Sequence, residues 1–336
     1  MKTRHTFIAL SLAVLVSAAL PAAARSVEDG LSLLPPEAAA VGMVRFADLR
    51  SNPLGERLFR DFDGATVDGD AARFLEEAHL RLTQDVDTMT WAAIPAANGM
   101  KDGDVLVLFE GRFEPEKLAA AISARGAIAR TAAGGAYFML PEKKGSGNPG
   151  RGAVAFVSPR LVIAGTEGSV VSALDARNSG GTAFRSGQGL GRHYSRIESG
   201  ASAFALIDMA KFPKAKRHHT EVNAHSSDAG KMVIGAMRSV SLLALQISTK
   251  GDAMKMTAQG LSNDEETREL LEDSLRGVLA AWRLAMQDKN PDAVSVLRKF
   301  KVSHDNEAVT ITGTLPGPVV RYLADQVDKK HNAETH

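Results

Sequence analysis

The chain has no cysteine in 336 residues. That excludes a disulfide framework, a thiol nucleophile and a lipid-modified cysteine behind the N-terminal apolar run. Charge of either sign is not in excess, with 40 Lys+Arg against 39 Asp+Glu. The basic footprint of a nucleic-acid binder is therefore missing. No Asn-x-Ser/Thr acceptor occurs, and after residue 20 no apolar run is long enough to span a bilayer. The motifs G-x-S-x-G, S-x-x-K and G-x-x-x-x-G-K-[ST] are all absent, which removes the common local signatures of serine nucleophiles and phosphate loops. What is present is ordinary globular material: 44% hydrophobic and 24% charged residues, enough apolar surface to build a core.

The first residues read as an export signal. Lys2 and Arg4 precede an uncharged apolar stretch over 7–20, and Ala22-Ala23-Ala24 supplies the small residues at which a leader is cut. A spanning helix needs about 20 apolar residues, so this stretch is short for a permanent anchor. Residues 1–24 are thus expected to be a signal peptide cleaved near Ala24. The mature chain would be periplasmic or secreted, with no stable membrane insertion. Cleavage leaves 38 basic and 39 acidic side chains, a net charge of −1 with no pull toward nucleic acid or anionic lipid.

Two stretches of the mature chain follow one order. In the first, 41–46 reads as a strand and is followed by a polar to helical stretch. Strands at 88–94 and 104–113 flank the turn signals Asn98-Gly99 and Asp102-Gly103. Pro115 opens a helix with Leu118, Ala121 and Ile122 on one face. Strands at 136–140, 153–157 and 161–164 and a helix over 169–176 complete it. In the second, a strand at 201–209 and a long, partly helical segment come first, and strands at 240–248 and 253–261 then turn at Lys250-Gly251-Asp252. Ser262-Asn263-Asp264-Glu265 has a capping-box pattern, and the helix it opens carries Leu271, Leu275, Val278 and Trp282 as one core stripe. A strand at 309–314 and a helix over 319–327 follow.

The expectation is an α+β chain of two tandem modules of antiparallel sheet, with helices packed on one face. The modules would cover 25–177 and 201–330, joined by a glycine-rich linker at 178–200 and followed by a disordered tail at 331–336. One large domain with a continuous sheet is the alternative. The opening Leu34-Pro35-Pro36-Glu37-Ala38 and the strand and Asp48 after it resemble a broad set of exported bacterial proteins that repeat the strand–helix–hairpin–helix order. The resemblance covers most of the mature chain at pattern level. It implies a repeated fold, no reaction, and no functional residues to carry over.

Several clusters bear on chemistry. On a helix, His218, Glu221 and His225 would share a face, a candidate set for zinc or another first-row metal. The two histidines would stand about 10 Å apart along the axis, too far for one tetrahedral ion unless the helix bends. A solvated polar face accounts for the same residues. Asp61, Asp63, Asp68 and Asp70 crowd a glycine-containing loop, but the register of an EF-hand fails because Gly64 directly follows Asp63. Gly145 to Gly150 spells G-x-G-x-x-G, yet leads into a strand at 153 and offers no helix N-terminus for a pyrophosphate. Met232, Met237, Met254 and Met256 fall close together and read as core, or as the lining of an apolar groove. No catalytic set and no cofactor is assigned. The reading is a non-catalytic exported binding or scaffold protein whose partner is a protein or an amphiphile of the envelope. A metal-dependent enzyme using His218, Glu221 and His225 is a further alternative.

Overall fold

The computed structural model describes residues 30–50, 52, 55, 77, 80–96, 99–132, 134–141, 152–181, 184, 187–211, 240–287 and 291–321. The first strand, β1 (Ala40–Arg45), leads into a short helix α1 (Phe46–Leu49). A second short helix, α2 (Leu82–Asp85), precedes the long hairpin β2 (Val86–Ala96) and β3 (Gly99–Gly111). Helix α3 (Pro115–Ala124) starts on proline, whose missing N–H costs nothing at a first helical position. Four strands follow: β4 (Ile128–Ala132), β5 (Gly135–Met139), β6 (Gly152–Ser158) and β7 (Leu161–Thr166). Helix α4 (Glu167–Asn178) closes the first half.

A 3-10 helix (Gly189–Arg196) leads to β8 (Ala203–Asp208), then to the hairpin β9 (Leu242–Lys250) and β10 (Ala253–Leu261). Gly251 turns that hairpin at φ +57°, a region where a Cβ would be strained. Helix α5 (Glu265–Met286) and helix α6 (Pro291–Leu297) precede the last pair of strands, β11 (Lys301–His304) and β12 (Ala308–Leu315). The chain is α+β, and every described strand pairing is antiparallel.

All twelve described strands join one sheet in the order β11-β12-β10-β9-β8-β1-β2-β3-β7-β6-β5-β4. The first strands of the two halves, β1 and β8, lie side by side at its centre. Outward from them the order is β1-β2-β3-β7-β6 on one side and β8-β9-β10-β12-β11 on the other. The hairpin β4–β5 is the one extra pair, at the far edge. The continuous sheet weighed as an alternative is thus what the strands form, and it leaves the two halves matched in order.

Residues directly across from one another share a sheet face. The pairs Phe109–Met89, Met89–Val44, Val44–Ala203, Ala203–Ile247, Ile247–Met256 and Met256–Gly313 therefore trace one face across the sheet. Helix α3 packs on that face through Leu118 and Ile122 against Val154 and Val162. Helix α5 packs on the same face through Leu271 and Leu279 against Val309 and Ile311. The helices that follow the two hairpins thus share one face. Helix α4 covers the opposite face, where Val170, Ala173 and Leu174 meet Leu106, Leu108, Ala155 and Ile163. Helices accordingly occur on both faces, because strands β6 and β7 are apolar on both. The expected linker is also partly core. Phe184 and Leu190 are buried with the α4 layer, and the glycines there shape the chain around it.

Candidate functional groove

Helix α5 starts where its sequence supplies a cap. The Asp264 carboxylate accepts the Thr267 amide at 2.8 Å and also its hydroxyl. Those bonds, the hydroxyl's first, hold the Asp264 carboxyl below its ordinary range. Asp264 caps the helix, two residues past the Ser262 that a capping box would use. Glu265 and Glu266 follow in the first turn, where negative charge suits the helix dipole. At 22 residues the helix is about 33 Å long. Leu271, Val278 and Leu279 are buried, but the final turns run beyond the short edge strand β11. Trp282 is 53% exposed and Leu284 71%. Trp282 lies one helical turn past Val278, so periodicity assigns it to the core; instead it stays half-exposed above the sheet.

What the end of α5 meets instead is helix α6. The Arg283 guanidinium donates to the Leu297 carbonyl through Nη2 at 2.9 Å and Nε at 3.3 Å. This clamp fixes the C-terminal end of α5 over the end of α6 and leaves a gap above the sheet. The gap is a groove of about 860 Å3. Its floor is Met256 on β10 and Leu315 on β12. Trp282 and Met286 form one wall, Val296 and Phe300 the other, and Pro316, Pro318 and Val319 close an end. Lys299 is the one ionisable side chain among the lining residues. Leu315 and Val296 of this lining also pack with Met254 and Val320 in a small core.

The expectation for the methionines divides accordingly. Met254 is core, and Met256 lines the groove. Met232 and Met237 lie outside the described residues, as do His218, Glu221 and His225, the aspartates at 61–70, the loop at 145–150, the signal peptide and the tail. Among the described residues no three His, Asp or Glu side chains stand as a metal cluster, and no described helix is long and apolar enough to cross a membrane.

Buried or shifted polar groups elsewhere join elements to one another. Glu272 on α5, buried, pairs with Arg276 and with His304 Nδ1 on β11. The Tyr137 hydroxyl donates to Glu167 at 2.8 Å, and that bond raises its pKa. His193 is pushed down by burial and by its neighbours Arg192 and Arg196. None of these pairs opens into the groove. An arrangement of largely apolar walls with a single cation can sort ligands by shape and charge.

Comparison with known proteins adds fold likeness only. No family model matches the chain, and no curated protein does. Among solved structures it is similar to crystal forms of a protein named TP0453. Crystal form III superposes with a TM-score of 0.47 at 9% identity, covering 89% of this chain and 97% of that one. Crystal form I gives 0.46 at 9%, covering 89% and 96%, and form IV 0.44 at 10%, covering 88% and 95%. A likeness of this size carries no argument about activity.

Proposed function

We propose that the protein is a non-catalytic, exported binding protein of the cell envelope that holds the apolar part of an amphiphile in the groove between α5, α6 and the sheet. The observation that carries this is the lining itself. A volume of about 860 Å3 lies within the usual range of ligand pockets, roughly 300–1,000 Å3. Two methionines, a tryptophan and a phenylalanine are among its lining residues, and methionines adapt to chains of varied shape. Export rests on the signal-like first 24 residues. The matched strand order of the two halves supports a second part of the reading, that one folding unit is present twice and shares a sheet.

Each methylene taken out of water contributes about 0.8 kcal/mol, close to a fourfold change in Kd. A series of alkyl chains should therefore tighten about fourfold per added carbon until the groove is full. Native mass spectrometry of protein purified after export should show a bound amphiphile released by organic solvent. Affinity that ignores chain length, together with ligand-free protein in that spectrum, would defeat the proposal.

A scaffold reading has one observation in its favour. Edge strand β4 is exposed along most of its length, with Ile128 62% exposed, and its outer side has no strand partner among the described residues. A stoichiometric protein partner in the same spectrum, lost when Ile128 is changed to lysine, would favour that reading.

A further inference from the structure

The groove's charge is as one-sided as its walls are apolar. No carboxylate is among its described lining residues, and its one ionisable lining residue, Lys299, is exposed and has no ion-pair partner among the described residues. The flanking Arg298 and Lys301 are also cationic and exposed. The nearest guanidinium on α5, Arg283, is engaged with the Leu297 carbonyl. At the far end Arg321 is paired with Asp252. Lys299 is therefore the charge that a ligand in the groove would meet. It sits directly beside Phe300, whose ring is part of the apolar wall.

Resting on the groove reading above, we infer that the ligand is an anionic single-chain amphiphile, an alkyl carboxylate, whose head group pairs with the Lys299 ammonium while its chain lies along Trp282, Met256 and Phe300. An ammonium is a compact point charge that suits a monoanion, and the arginine fork that better meets a phosphate is not among the lining residues, Arg298 lying outside them. The apolar wall beside Lys299 excludes part of the solvent that would screen the pair, so sign should matter more there than on an open surface. A cationic head at the same place would be repelled, and an uncharged head would feel neither effect.

The test compares dodecanoate, methyl dodecanoate and dodecylammonium, with dodecyl phosphate as a fourth probe, each below its micelle concentration. Binding is read by tryptophan emission, with Trp282→Phe identifying the groove's signal, and by calorimetry. Dodecanoate should bind on the order of tenfold more tightly than dodecylammonium, the methyl ester falling between, since an exposed pair shifts each sign a few-fold. Lys299→Gln should bring the three within about threefold of one another and leave the ester's affinity unchanged. That variant alters an exposed side chain, and an unchanged thermal midpoint checks its fold. Equal binding of all three by the unaltered protein overturns the charge inference and leaves the groove reading standing. A preference that survives Lys299→Gln overturns the assignment to Lys299. Dodecyl phosphate binding more tightly than dodecanoate overturns the carboxylate, and saturable binding by none of the probes overturns both inference and groove reading.

Discussion

The ring of Phe300 lies against Gly313, so close that a Cβ added at 313 would come within 2.5 Å of the ring. The aromatic wall of the groove is thus seated on a place in β12 where there is no side chain. Gly313→Ala should push Phe300 outward into the groove. Overpacking of this kind costs about 1–3 kcal/mol. The expected result is a lower urea midpoint together with weaker alkyl-chain binding, read from Trp282 emission. Unchanged binding in the alanine variant would show that Phe300 does not set the groove's width.

Acid should weaken the fold through two aspartates. Asp264 is held below its ordinary 3.8 by the Thr267 hydroxyl and amide, and Asp305 by the amides of Glu307 and Ala308. With the folded pKa depressed, the unfolded chain binds more protons near pH 4. The stabilisation is complete above 3.8 and is lost as pH falls through the folded value. Asn keeps a capping oxygen but does not titrate. Asp264→Asn and Asp305→Asn should therefore flatten the decline of the urea midpoint between pH 5 and pH 3. A decline as steep as in the unaltered protein would assign it to other groups.

Local chemistry was readable from the residues wherever a single element decides it. Pro115 opens α3, Gly251 turns the β9–β10 hairpin, and the alternation along β10 separates Met254 and Met256 from Lys255. Edge strand β4 gave no signal, since both its faces are wet and no alternation marks it. The central pairing of β1 with β8 was equally silent. Alternation states which side chains face inward, but not which strand lies next when the partners are over 150 residues apart. The groove fails to appear for a similar reason. Met256, Trp282 and Leu315 come from three separate elements and Phe300 from the turn between α6 and β11, and the exposure of Trp282 depends on how α5 and α6 sit above the sheet. The metal-like spacing of His218, Glu221 and His225 was readable as a pattern, but those residues lie outside the described structure.

Val41 and Leu206 face each other across the β1–β8 junction, and both side chains are fully buried. Leu206→Ala should cost about 2–5 kcal/mol, because rigid strands on either side cannot collapse into the space. Since this pair joins the two halves, both should lose stability together. Trp91 lies in the first half and Trp282 in the second. Tryptophan emission and far-ultraviolet dichroism should therefore report one shared midpoint, lowered in the variant. Separate transitions would show that the halves are coupled only weakly across the sheet.

A buried carboxylate fixes the start of the described chain. Glu110 on β3 is 7% exposed and accepts the amide of Gly30 at 3.0 Å. Just beyond, Leu31, Leu33 and Leu34 are buried against the same face as α4. Glu110→Gln keeps an acceptor of the same shape and should leave this segment in place. Glu110→Ala leaves the Gly30 donor without that partner in a region with little water, at a cost of about 1–3 kcal/mol. The expected signature is faster amide exchange at 31–34 with the sheet amides of β9 and β10 unchanged. Equal exchange in the alanine and glutamine variants would mean that the leucines alone hold the segment.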